Sequence, residues 1–214
     1  RGGGAAAAPG GRPPPRSATP VRTLVVAAAA VLLAAAAPLQ DTPTVFLVGD
    51  STVKNGSGRG EGGLWGGGDF LAPHLDTARV SVENYALGGR SSRTFRTEGR
   101  WADVLERVEP GDWVLIQFGH NDGIAPDDPR RPRGTLRGTG RETVEIIHPQ
   151  TGEPETVYTY GHYMRRYVRE TRERGATPIV LSPVPRNTWE PDGTLDRDRL
   201  GYALWARQVA GEED

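Results

Sequence analysis

The 214-residue sequence predicts an α/β fold, a three-layer αβα sandwich around a mostly parallel central sheet. Two observations carry that prediction. Four short runs rich in Val, Ile and Leu, at Thr44 to Val48, Val80 to Asn84, Trp113 to Phe118 and Thr177 to Ser182, have the near-continuous apolar character of strands buried on both faces. Between them lie stretches with helical periodicity, and strands alternating with helices imply βαβ units with right-handed crossovers and helices on both faces of the sheet.

Each element has its own signal. Trp101, Val104, Leu105 and Val108 fall at i, i+3, i+4 and i+7, and Pro110-Gly111 ends that helix before the third strand. Tyr160, Tyr163, Met164, Tyr167, Val168 and Thr171 repeat the pattern, with Gly175 at the expected C′ position. A shorter helix is expected from Asp69, carrying Phe70, Leu71 and Leu75, and a last one carrying Leu200, Leu204 and Val209. Glu142 to Ile147 and Glu155 to Tyr158, joined by His148-Pro149-Gln150-Thr151-Gly152, read as an inserted β-hairpin. Gly119 to Gly140 is a polar loop too long for a connector and is expected to belong to a binding face.

Composition narrows the function classes. Lys and Arg total 26 against 27 Asp and Glu, so no electrostatic ground favours nucleic acid or an anionic membrane as partner. Cysteine is absent, which removes disulfides and thiolate metal sites. Residues 1–37 are expected to be a basic tail and signal peptide, and 38–214 one domain. Arg16 and Arg22 precede an apolar run, Leu24 to Ala37, shorter than the ~20 residues a bilayer requires, with small residues at Ala34-Ala35-Ala36 for cleavage. A secreted or periplasmic protein follows, with no stable membrane partner unless the leader is retained as an anchor.

Ligands in open parallel sheets bind beyond the carboxyl ends of the strands. Three loops fall there: Gly49-Asp50-Ser51-Thr52, Ala86-Leu87-Gly88-Gly89-Arg90-Ser91 and Gly119-His120-Asn121-Asp122. Each combines glycine, which lets main-chain N–H groups approach a ligand, with small polar side chains. Gly58-Arg59-Gly60-Glu61-Gly62-Gly63, with Glu83 beyond it, satisfies a dinucleotide-binding pattern but does not directly follow its strand and opens no good helix, so nucleotide binding is set aside.

Gly-Asp-Ser after the first strand, glycine after the second and Gly-x-Asn-Asp after the third together resemble the SGNH (GDSL) hydrolases, whose fold is flavodoxin-like. Leu64-Trp65-Gly66, Gly89-Arg90-Ser91-Ser92-Arg93-Thr94-Phe95, Phe118-Gly119-His120-Asn121-Asp122-Gly123 and Pro183-Val184-Pro185-Arg186-Asn187 extend the likeness, over most of Val45 to Gly211, to the rhamnogalacturonan acetylesterase branch. The resemblance implies a metal-free, cofactor-free serine esterase acting on acetylated polysaccharide or oligosaccharide of pectic type. Ser51 would be the nucleophile, with the N–H groups of Ser51 and Gly89 and the Asn121 amide as oxyanion hole. Trp65, Arg90, His120 and Trp189 are candidate sugar-facing groups, since aromatic faces and Arg forks suit uronate-bearing chains. Either Trp can equally pack, Arg90 can equally pin its loop, and His120 is read as a structural or substrate-facing imidazole.

In the resembling family the general base and its orienting acid lie in a later Asp-x-x-His. None occurs in the 214 residues, and His74, His120, His148 and His162 occupy segments the family uses otherwise. The expectation is of a domain truncated before its last strand and helix, with the catalytic His and Asp beyond residue 214. A non-catalytic carbohydrate-binding relative, an esterase or lipase acting on other acyl esters, and a leader-tethered structural protein of the envelope are the alternatives.

Overall fold

The computed structural model describes residues 1–4, 10–11, 42–197 and 200–214. The chain divides into two units, Arg1–Gln40 and Asp41–Asp214, and the fold below is that of the second. The leader run Leu24 to Ala37 and its cleavage region lie outside the described residues. Among the described residues no helix is long and apolar enough to cross a membrane.

Four parallel strands form the sheet: β1 (Thr44–Gly49), β2 (Ser81–Asn84), β3 (Trp113–Gln117) and, last in the chain, β6 (Thr177–Val180), in the order β2-β1-β3-β6. Pairing of Leu47 with Asn84 and Leu115, and of Gly49 with Gln117, brings the carboxyl ends of β1, β2 and β3 to one edge. The opposite edge is tied by Asp112, whose carboxylate accepts the N–H groups of Thr44 at 2.7 Å and Glu109 at 2.8 Å while its carbonyl accepts from Thr177. The strand expected at Thr177 to Ser182 ends at Val180, just ahead of the Pro183-Val184-Pro185 segment.

The alternation of β1 and β3 sorts their side chains into two cores. Phe46, Val48, Val114 and Ile116 face the larger one, built with α1 (Thr94–Thr97), α2 (Arg100–Leu105), α3 (Tyr160–Glu173) and α4 (Tyr202–Glu212). Val45, Leu47, Trp113 and Leu115 face the smaller one, with Val53, Ala86 and Leu71. The layer on that second face is thin. The helix expected from Asp69 is a pair of 3-10 turns, Gly67–Phe70 and Ala72–His74, because the glycine run before it and Pro73 within it both oppose a continuous α-helix.

Helix α3 follows its sequence signals closely. Thr159 caps it by accepting the N–H of His162 at 3.2 Å, and Gly175 follows its end with φ 75°. In α4 the buried residues are Tyr202, Ala206 and Val209; of the apolar residues expected on this helix Val209 is buried, Leu204 is exposed and Leu200 lies exposed just before its start. The hairpin forms as expected, with β4 (Thr143–Ile147) antiparallel to β5 (Pro154–Tyr158). The glycine-rich segment set aside as a nucleotide loop makes a 3-10 turn at Glu61–Gly63 and starts no α-helix.

Candidate active site

The first loop is a tight turn held from beneath. The Asp50 carboxylate accepts from the N–H of Thr52 at 2.9 Å and from its hydroxyl at 2.7 Å, and Gln117 of β3 donates to that hydroxyl at 2.8 Å. The Asp50 carbonyl accepts from Val53 and Lys54, both at 3.1 Å. Asp50 is buried, whereas Ser51, at the tip, is partly exposed. A strap of three glycines braces the same turn. Gly67 and Gly68 donate to the carbonyls of Thr52 and Val53, and a Cβ on Gly66 would fall 2.2 Å from the Val53 main chain, a position only glycine fits.

The second loop lies directly against the first. A Cβ on Gly88 would stand 3.4 Å from the Cβ of Ser51. Gly89 follows with φ 82°, a left-handed conformation that turns the chain sharply, and the Arg133 guanidinium donates to its carbonyl at 2.7 Å. The third loop closes on the second through Asn121, whose side-chain amide donates to the Arg90 carbonyl at 2.9 Å. A side-chain amide has two N–H groups, so one remains. Among the described residues, the main-chain N–H groups of Ser51 and Gly89 donate to no protein acceptor.

Beneath these loops sits a buried carboxyl. Asp122 accepts the N–H of Ser92 at 3.1 Å and the Ser92 hydroxyl at 2.5 Å. Burial pushes its pKa up to about 7; the hydrogen bonds from Ser92 oppose that rise and the charge of Asp50 adds to it. Two tyrosines of α3 hold the same loops from the core side. Tyr167 donates to the Ser92 carbonyl at 2.9 Å, and Tyr160 to the Phe118 carbonyl at 3.0 Å. The long helix thereby fixes the loop after β2 relative to the loop after β3.

Ser51, Gly89 and Asn121 thus converge at one sheet edge, as the order of the loops implied. The four other candidates are more dispersed. Arg90 is engaged locally, with Glu98 at 2.9 Å and the Gly88 carbonyl at 3.1 Å. Trp65 is half-exposed, lies over Gly60 and stands 5.2 Å from the Phe70 ring. His120 meets the Val184 carbonyl at 2.8 Å and lines a cavity of about 260 Å³ with Pro183, Pro185 and Tyr202. Trp189 is exposed and donates to Asn187 at 2.6 Å. Among the described residues no histidine makes a hydrogen bond to Ser51.

Several supports of the site carry little signal in the sequence. Gln117 reads as an ordinary strand end, and Arg133 as one of many charges in a polar loop. The Gly66-Gly67-Gly68 run was the one visible cue to a close main-chain approach.

Comparison with known proteins places this geometry in context. The family described as GDSL-like lipase/acylhydrolase matches residues 47–214. A Bacillus subtilis protein named probable rhamnogalacturonan acetylesterase YesY is 37% identical over 171 residues, covering 79% of this chain and 66% of that protein. The rhamnogalacturonan acetylesterase of Emericella nidulans is 36% identical over 173 residues, covering 78% of this chain and 64% of that protein. The chain therefore spans slightly less than two thirds of the length of these relatives. The crystal structure of protein YXIM from Bacillus subtilis shares the fold, with a TM-score of 0.57 at 24% identity over 80% of this chain and 42% of that one.

Proposed function

The chain belongs to the GDSL-like lipase/acylhydrolase family, and from that membership we propose that it serves as a serine esterase removing O-acetyl groups from pectic polysaccharide of the rhamnogalacturonan type. One observation carries the proposal: the N–H groups of Ser51 and Gly89, unengaged among the described residues, and the remaining amide N–H of Asn121 come from three loops bound to one another. Preorganised neutral donors of this kind stabilise the oxyanion of an ester's tetrahedral intermediate. The two relatives named as rhamnogalacturonan acetylesterases support the choice of substrate.

In this reading the Ser51 hydroxyl attacks the acetyl carbonyl carbon while a general base takes its proton. The carbonyl oxygen becomes an oxyanion held by the three N–H donors. Collapse of the intermediate expels the sugar hydroxyl, which recovers a proton, and leaves an acetyl ester on Ser51. Water then attacks that ester through a second tetrahedral intermediate, releasing acetate and restoring the serine. Asp50, Thr52 and Gln117 act on Ser51 only by fixing its turn.

Trp65, His120 and Trp189 supply the polysaccharide face, two exposed aromatic surfaces and an imidazole on the loop that carries Asn121. The basic residues before Leu24 to Ala37 support export, with cleavage near Ala36 or Ala37. Mass spectrometry of the mature N-terminus tests the export reading, an intact leader on a cytosolic protein being the contrary result. Acetate release from acetylated rhamnogalacturonan, compared between the full-length protein and its Ser51→Ala variant, tests the activity. Equal release by the two would move the nucleophile elsewhere.

A further inference from the structure

Beyond the Gly89 turn lies a cleft of about 610 Å³ with the turn of the β4–β5 hairpin on one side and residues 130–133 on the other. The second wall is basic. Arg130, Arg131 and Arg133 all line the cleft, and among the described residues none of the three forms an ion pair. Arg90 lines it too, but its charge is met by Glu98.

The wall is built rather than incidental. The Asp128 carboxylate accepts the N–H groups of Arg130 at 2.9 Å and Arg131 at 2.6 Å, which fixes the main chain of the loop. The buried Arg93 guanidinium holds the carbonyls of Pro126 and Pro132 from below. The side chains of Arg130 and Arg131 are left exposed, while Arg133 reaches inward to the Gly89 carbonyl. Burial lowers the pKa of Arg133, and the neighbouring charges of Arg131 and Arg90 lower it further. Three carboxylates line the cleft as well, Glu98 paired with Arg90, Glu155 paired with the buried Arg93, and Glu153 on the hairpin side. Along residues 130–133, however, like charges are gathered on a rigid wall, an arrangement that an anionic ligand relieves.

We propose that this cleft is a subsite for the carboxylate of a uronate residue in the polysaccharide, held by Arg130 and Arg131 while a neighbouring acetylated sugar lies at Ser51. The inference rests on the esterase reading above and extends it to the substrate's charge. A guanidinium fork matches a carboxylate in two parallel hydrogen bonds, which is the chemistry a uronate offers and a neutral sugar does not. Gly89, whose N–H is one of the proposed oxyanion donors, lines the cleft, and Arg133 of the basic wall donates to its carbonyl.

The test is calorimetric titration of the full chain with an unacetylated oligogalacturonate and with its carboxyl-reduced, neutral counterpart. The uronate oligomer is expected to bind at least about tenfold tighter, with affinity falling as salt is added. In an Arg130→Gln/Arg131→Gln variant the two oligomers should bind alike, at an unchanged Tm because both replaced side chains are exposed. An Arg131→Glu variant should bind the uronate oligomer more weakly than the neutral one. Equal affinity of the unaltered chain for both oligomers, or undiminished uronate binding by the double variant, overturns the subsite. Neither oligomer carries an ester, so these results do not depend on turnover. Failure of the esterase reading would be seen separately, as acetate release that Ser51→Ala leaves untouched.

Discussion

The Asn121 side-chain amide donates to the Arg90 carbonyl at 2.9 Å, so the loop after β3 is fastened to the loop after β2 one residue beyond Gly89. In the proposed oxyanion hole this bond orients the amide. Asn121→Ala should therefore lower kcat for acetyl ester hydrolysis by about 10²–10³-fold, the usual loss for one oxyanion donor. KM should move little, because the interaction strengthens only as charge develops on the carbonyl oxygen. Steady-state kinetics on a small acetyl ester check this, and a loss confined to KM would remove Asn121 from the oxyanion hole.

In the full-length protein Ser51→Ala should abolish turnover, with a loss on the order of 10⁶-fold if the nucleophile and its base act as a unit. The fold should survive, since the turn is held by Asp50, Thr52 and the glycine strap rather than by the Ser51 side chain. Chelators should leave the unaltered chain's rate unchanged, because all three oxyanion donors in the proposed mechanism are N–H groups of the protein. A rate that falls on metal removal and returns on adding metal would contradict that mechanism.

His120 is adjacent to Asn121, yet its ring is directed to the Val184 carbonyl at 2.8 Å and its own carbonyl accepts from Arg186 at 2.8 Å. An imidazole held in that way serves the segment 183–186 and the cavity beside it. His120→Ala should change kcat by no more than a few-fold while raising KM for polysaccharide. A collapse in kcat with a lost alkaline plateau in the pH profile would instead make His120 the general base.

The sheet and α3 were legible in the sequence because their signals are local and redundant. Val45 to Val48 is apolar throughout, and the Tyr160 helix has period and C′ glycine in agreement. Leu200 and Leu204 misled for a complementary reason. Apolar spacing gives a face but not its partner, and Tyr202, Ala206 and Val209 already supply the buried stripe of α4. At the site, the ordering of three loops at successive strand ends was readable, but the bonds that lock them were not. Arg133 to Gly89, Gln117 to Thr52 and Tyr167 to Ser92 join residues 44 to 75 positions apart, and no short motif encodes such pairs.

Asp122 gives the site a titration of its own. Its carboxyl is fully buried beside Asp50 and bound to Ser92, and its pKa stands at about 7 against 3.8 for the free side chain. A carboxyl whose pKa is raised on folding binds more protons in the native state than in the unfolded state between those two values, so stability falls as pH rises from about 4 to about 7 and then levels. Its contribution is fully present below the unfolded pKa and lost above the folded one. At ~1.4 kcal/mol per pKa unit the change is on the order of a few kcal/mol. Asp122→Asn keeps an oxygen to accept from Ser92 and removes the titration, so its stability should follow a flatter course over the same range. Denaturant unfolding of both proteins at pH 4, 5.5, 7 and 8 measures the difference directly. The gap between the two curves should shift by a few kcal/mol in favour of the variant as pH rises. A gap that stays constant would mean that Asp122 is ionised across the whole range, with Ser92 and its neighbours compensating the buried charge.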